Sequence, residues 1–152
     1  MLDEKDQKII AVLMRDGKAS VETVAEQVGL SPTPTRRRIQ NLEKSGVISG
    51  YQARLNTEKL GLELTAYVFI KLQSRNKEAI AEFESRIQRH PEISRCELIT
   101  GAYDYIMTVH LPSMSDYNRF LRDSLAELPG VFGLETSVVI SSVKDSPIGL
   151  AG

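Results

Sequence analysis

"SPTPTRRRIQNLEKSG" (Ser31–Gly46) sets two prolines two residues apart, follows them with three arginines, and then runs on at helical spacing. These features agree with one another if Ser31 is an N-cap. Pro32 is then the first residue of a helix and Pro34 the third, where backbone N–H groups have no internal acceptor, so neither proline removes a helical hydrogen bond. With a turn of about 100° per residue, Thr35, Ile39 and Leu42 cluster on one side and face the protein. Thr33, Arg37, Gln40, Asn41 and Lys44 fall opposite, and Arg36 and Arg38 flank them. Such a helix, with an exposed N-terminus at Ser31, has the chemistry of a major-groove reader. Arginine bonds guanine bidentately, Gln and Asn suit adenine, and flanking arginines reach phosphates. For an arginine triplet alone, a solvated charged face is the simpler reading; the elements before it decide.

Upstream, Asp3 reads as an N-cap, with Glu4 and Asp6 in the first turn, where the helix dipole favours acidic groups. Leu2, Ile9, Ile10, Leu13 and Met14 form a helical stripe that Gly17 ends. Ser20 caps a second short helix with Val24, Ala25 and Val28 inward. Gly29 then supplies the turn, since glycine accepts a left-handed backbone. Two short helices, a glycine turn and a groove-shaped third helix make a helix-turn-helix over residues 1–50. Beyond Gly46, "VISGYQARLN" reads as a small β-wing or a hinge, and residues 51–62 as the linker, with one capped turn at "NTEKLG".

Bulk properties exclude as much as they suggest. The 152 residues carry a net charge of −1, so overall charge does not announce a nucleic-acid binder. Residues 31–50 alone carry +3, so positive charge is focused on one segment. No apolar run approaches the roughly 20 residues of a membrane span, and the acidic "MLDEKDQKII" is unlike a signal peptide. A single cysteine, Cys96, forms no internal disulfide and suits a reducing cytoplasm. It alternates with charged neighbours as a buried, inert thiol would. His90 precedes Pro91 at a helix end, and His110 has no partner at ligand spacing, so no metal or other cofactor is expected. No nucleophile–base pair or phosphate-cradling glycine motif points to an enzyme.

The second half changes rhythm. "LTAYVFIKLQS" (Leu64–Ser74) alternates, with Ala66, Val68, Ile70 and Leu72 on one face and Tyr67, Phe69 and Lys71 on the other. Residues 76–89 switch to helical spacing through Ile80, Phe83 and Ile87. Strands follow at 93–100 and 105–111. A helix opening at Ser115 carries Tyr117, Phe120, Leu121, Leu125 and Leu128 inward, and a last strand spans 131–143. The order is βαββαβ, so residues 63–143 are expected to form a ferredoxin-like domain, with 144–152 as a frayed tail. The fold class is α+β: an N-terminal winged helix-turn-helix domain plus this C-terminal domain. Two helices cover one sheet face only, and the apolar groups on the other call for a second copy. A helix-turn-helix that reads two half-sites also needs one.

The chain resembles the Lrp/AsnC (leucine-responsive, feast/famine) transcription regulators. The resemblance rests on "LDEKDQKIIAVLMRDGKAS", "VGLSPTPTRRRIQNLEKSGVISGYQARLN", "LITGAYDYIMTV" and "LPGVFGLETSVVISSVK", in that order, from about Leu2 to Val143. It implies an N-terminal domain that binds double-stranded operator DNA. It also implies a ligand-sensing C-terminal domain that assembles homodimers into octamers or related oligomers. The implied effector is a small amino acid, leucine- or methionine-like, seated between dimers against Gly101, Ala102, Tyr103, Asp104 and Tyr105. Gly101 and Ala102 let backbone approach a ligand, Asp104 suits its ammonium, and Thr136 and Ser137 offer further polar partners; read without the family, the loop is a tight hairpin turn. Two other functions compete: a ligand-independent, nucleoid-type DNA organiser, and an enzyme like the related sirohaem decarboxylases, which has no need of an arginine-rich reading helix.

Overall fold

The structure is a computed structural model and describes residues 2–146. It divides into two compact units, Met1–Arg54 together with the segment starting at Lys144, and Leu55–Val143. From Pro147 on, the expected tail lies outside the described residues.

The first unit holds three helices: α1 (Glu4–Arg15), α2 (Val21–Val28) and α3 (Pro32–Lys44). Each begins where its cap residue dictates. Asp3 accepts from the Asp6 N–H at 2.8 Å while the Asp3 N–H reaches back to the Asp6 carboxylate, a reciprocal capping box. Ser20 accepts from the Thr23 N–H at 3.1 Å. Gly29 ends α2 at φ 66°, in the left-handed region, which sets the bend into α3. Lys5 Nζ donates to the Val28 carbonyl at 2.6 Å, placing a cation on the negative end of α2 and tying it to α1. The stripes meet in a core of Ile9, Ile10, Val12, Val24, Val28 and Leu42, with Leu13, Met14, Ile39 and Ile48 packed around it.

The expected wing is absent among the described residues: residues 47–56 form no strand. A wing needs a second strand to pair with, and this unit is helical apart from its connections. The segment runs on instead to a single 3₁₀ turn at Glu58–Leu60, where Asn56 Oδ1 accepts from the Lys59 N–H at 3.0 Å.

The second unit follows the order β1 (Leu64–Leu72), α4 (Lys77–Ile87), β2 (Ile93–Leu98), β3 (Tyr105–Leu111), α5 (Met114–Phe120) and β4 (Val131–Val138). The strands lie β2-β3-β1-β4 with every pairing antiparallel, the ferredoxin-like arrangement expected from the alternation. Ala66, Val68 and Ile70 of β1 and Met107 and Val109 of β3 are fully buried beneath the helices, against Phe83 and Leu125. The other face carries Tyr67, Phe69 and Lys71, half-buried or exposed. Several boundaries differ from the sequence reading; β2, expected over 93–100, ends at Leu98, and the helix expected over 76–89 spans Lys77–Ile87. Ser113, rather than Ser115, caps α5, accepting from the Asp116 N–H, and the helix relaxes into a π-type turn at Leu121–Leu125. Strand β4 ends at Val138 rather than Val143, because its neighbour β1 begins at Leu64 and the last ladder bond is Val139 N–H to the Thr65 carbonyl.

Candidate functional site

Two sites carry the chemistry, one in each unit. The first is the outer side of α3. Thr35 and Leu42 are buried and Ile39 half-buried, so the helix rests on the side that the wheel assigned to the interior. Thr35 is a fully buried polar residue; its hydroxyl donates to the Ser31 carbonyl at 2.9 Å, which satisfies it without a partner outside the helix. Ser31 holds the extended cap conformation, and Pro32 occupies the first helical position. The Ser31 side chain makes no capping bond, and in the first turn only Thr33 carries a backbone N–H, because Pro32 and Pro34 have none.

Ser31, Thr33, Arg36, Arg37, Gln40, Asn41 and Lys44 are all exposed. Arg36 lies 3.8 Å from Glu22 of α2, a loose surface pair. Arg37 and Lys44 form no ion pair with a described residue. Arg38 differs from the rest of the set. Its Nη1 donates to Asp3 Oδ2 and to Asp6 Oδ1, each at 2.7 Å, so one end of the guanidinium is engaged and straps α3 to the start of α1. The Asp6 N–H and the Arg38 guanidinium together hold the Asp3 carboxyl below its ordinary range. The outer side of α3 therefore presents two unengaged cations, amides and hydroxyls on a stiff helix, which suits phosphate and base edges together.

The second site is the β2–β3 loop with its neighbours. Gly101 takes φ 120°, and Gly101 and Ala102 are exposed. Asp104 is 6% exposed, and both its oxygens are engaged. Oδ2 accepts from the Leu72 N–H at 2.8 Å, and Oδ1 lies 2.7 Å from Arg75 Nε. Its own N–H donates to the Ile70 carbonyl and its carbonyl accepts from Ile99 N–H, so the residue clasps the end of β1 to the loop. Tyr103 rests on Phe69 with ring centroids 5.4 Å apart and donates its hydroxyl to Glu135. Tyr105 packs on Phe83 at 4.7 Å and donates to Glu84 at 2.8 Å; burial first, then that carboxylate, pushes its phenol far up.

Thr136 and Ser137 do not share a side of the sheet. Thr136 pairs across from buried Val68 and its hydroxyl meets that of Tyr117 on α5, whereas Ser137 lies across from Tyr67 on the open face. Strand alternation allows at most one of them to point at any one ligand. Arg75 was not legible as a site residue: it stands in the β1–α4 connection, 29 positions before Asp104, with no local pattern around it. A cavity of about 320 Å³ opens beside this pair, walled by Leu72, Ile80, Leu98 and Ile99.

Comparison with known proteins gives each unit a domain family. Residues 2–43 match the AsnC-type helix-turn-helix domain, and residues 65–148 match the Lrp/AsnC ligand binding domain. The chain therefore belongs to the Lrp/AsnC family of transcriptional regulators, with a DNA-binding and a ligand-binding domain. It is 37% identical over 147 residues to the proline dehydrogenase transcriptional activator of Rhizobium radiobacter, covering 97% of this chain and 94% of that one. It is 39% identical over 145 residues to the leucine-responsive regulatory protein of Klebsiella pneumoniae, covering 95% and 88% respectively. Among solved structures it resembles the transcriptional regulator NMB0573 of Neisseria meningitidis in complex with L-Met. There the TM-score is 0.92 and the identity 31%, over 96% of this chain and 94% of that one.

Proposed function

We propose that this regulator reads operator DNA with Ser31, Thr33, Arg36, Arg37, Gln40, Asn41 and Lys44, and that a small amino acid, leucine- or methionine-like, alters its DNA binding through the C-terminal domain. The observation that carries the first half is the exposed outer side of α3, where Arg37 and Lys44 lack ion-pair partners among the described residues. Arg38 joins the DNA contacts in this reading with the part of its guanidinium that Asp3 and Asp6 do not hold. The second half is supported by the ligand-binding family match and by L-Met in the Neisseria relative. Here the effector rests against the exposed backbone of Gly101 and Ala102 and the rings of Tyr103 and Tyr105, with Ser137 or Thr136 as a secondary polar contact. Asp104 shapes the loop rather than receiving the ammonium, because its oxygens are engaged.

The open face of the sheet, with Tyr67 and Phe69, is the surface for a homodimer, and dimers assemble further, to an octamer in this reading. Effector coupling requires different affinity for two assembly states. Residues 1–50 form the DNA-binding domain, 51–62 the hinge, 63–143 the sensing domain and 144–152 the tail. The protein works in the cytoplasm as a regulator without catalysis. A gel shift with competitor DNA, repeated with each amino acid, tests this. Sequence-selective binding that one amino acid modulates supports the reading. Equal affinity for any duplex, indifferent to amino acids, identifies a nucleoid-type organiser, and absence of DNA binding sinks both.

A further inference from the structure

Resting on the effector reading above, we infer that Arg75 is the carboxylate reader of the ligand site, and that the site recognises the carboxylate and the apolar chain of its ligand rather than the ammonium. The cavity beside the β2–β3 loop has about 320 Å³ of space, the scale of a small metabolite. Its walls are mostly aliphatic, from Leu72, Ile80, Leu98 and Ile99, and they suit a leucine or methionine side chain. Leu98 is exposed, so a ligand seated there would cover it.

Besides the hydroxyl residues Thr100 and Tyr105, the polar lining of the cavity is the pair Arg75 and Asp104. Arg75 Nε lies 2.7 Å from Asp104 Oδ1, while the Arg75 side chain is otherwise 67% exposed. A guanidinium held by its Nε keeps its terminal Nη edge available, and that edge matches a carboxylate in a bidentate fork. Among the described residues Asp104 is the only carboxylate lining the cavity, and its two oxygens already face Arg75 and the buried Leu72 N–H. Tyr105 also lines it, with its hydroxyl turned to Glu84. Among the described residues lining the cavity, Arg75 thus offers an oriented cation for a carboxylate, while the buried Asp104 already accepts at both oxygens. The ligand class is an apolar carboxylic acid, and an α-amino acid and its α-keto acid are both members. Asp104 is the positioning residue that aims the fork.

The test is calorimetry on the full-length protein with four probes: L-leucine, L-methionine, the α-keto acid of leucine, and L-leucinamide, which keeps the ammonium and side chain but has no carboxylate. The inference expects leucine or methionine and the keto acid to bind within about tenfold of each other, and leucinamide not to bind. Arg75→Gln should weaken the acids about ten- to hundredfold, the loss of charge-assisted bonds. Arg75→Lys should recover part of that, because it keeps the charge and loses the fork. Circular dichroism melts equal to those of the parent chain establish that both variants fold. Leucine binding that Arg75→Gln leaves unchanged, or leucinamide binding as tightly as leucine, overturns the inference and leaves the amino-acid reading standing. Binding of the keto acid alone, lost with Arg75→Gln, overturns the amino-acid reading and keeps the carboxylate reader. Binding of none of the probes overturns both.

Discussion

Replacing Asp104 with alanine isolates what this buried carboxylate does for the fold. Its Oδ2 is the acceptor for the Leu72 N–H, a backbone donor at the buried end of β1. Alanine leaves that donor, on a residue 7% exposed, without its side-chain acceptor. An unsatisfied buried polar group costs about 1–3 kcal/mol. The pair with Arg75 adds less, about 0–1 kcal/mol, because the arginine is largely solvated. The expected loss for Asp104→Ala is therefore about 1–4 kcal/mol. Asp104→Asn keeps an oxygen for the Leu72 N–H and gives up only the charge, so it should cost about 1 kcal/mol. Urea unfolding followed by far-UV circular dichroism reads both values, with the slope required to stay constant so that the midpoint reports stability. The N-terminal unit, which does not contain Asp104, should keep its own transition. Equal losses in the two variants would refute the acceptor argument, as would an alanine variant as stable as the parent.

The central residue of the C-terminal core gives a second expectation. Phe83 is fully buried and packs tilted against Tyr105, so Phe83→Ala should destabilise that unit by about 3–5 kcal/mol in the same urea assay, and a loss under about 1 kcal/mol would contradict the packing. A third concerns acid. The folded pKa of Asp3 lies below its ordinary value of 3.8, through the Asp6 N–H and then Arg38. Its contribution is thus complete above the unfolded value and lost as pH falls through the lower folded one. Stability of the N-terminal unit should show an acid decline below that range that Asp3→Asn makes shallower; identical pH profiles would remove the carboxylate from the account.

What the sequence made legible was local or periodic. Ser31, Pro32 and Pro34 announce a helix start because each acts on its own turn, and Gly29 announces the bend because it alone meets the left-handed requirement. The alternation in β1 and the stripe through Ile80, Phe83 and Ile87 gave the layers of the second unit, since burial follows those periods directly. What stayed hidden depends on partners far along the chain. Nothing near Arg38 reveals that Asp3 and Asp6, more than thirty residues away, bond its Nη1. Asp104 read as a ligand contact because a turn aspartate looks available; its burial under Leu72 and Arg75 is a tertiary fact. The wing failed for a related reason. A strand is defined by its neighbour, and "VISGYQARLN" carries the propensity while the described residues of its unit offer no strand to pair with. The end of β4 at Val138 follows the same logic, because the apolar run through Val143 outlasts the strand beside it.

The central claim is that the outer side of α3 reads DNA, and Arg37 is its most exposed test. Once a bound operator has been found, affinity should be measured for the parent and Arg37→Ala, on that operator and on an unrelated duplex, across a salt series. If Arg37 bonds a base, the variant should lose about 1–3 kcal/mol on the operator, with its preference between the two duplexes narrowed. Unchanged affinity together with unchanged preference would contradict the account.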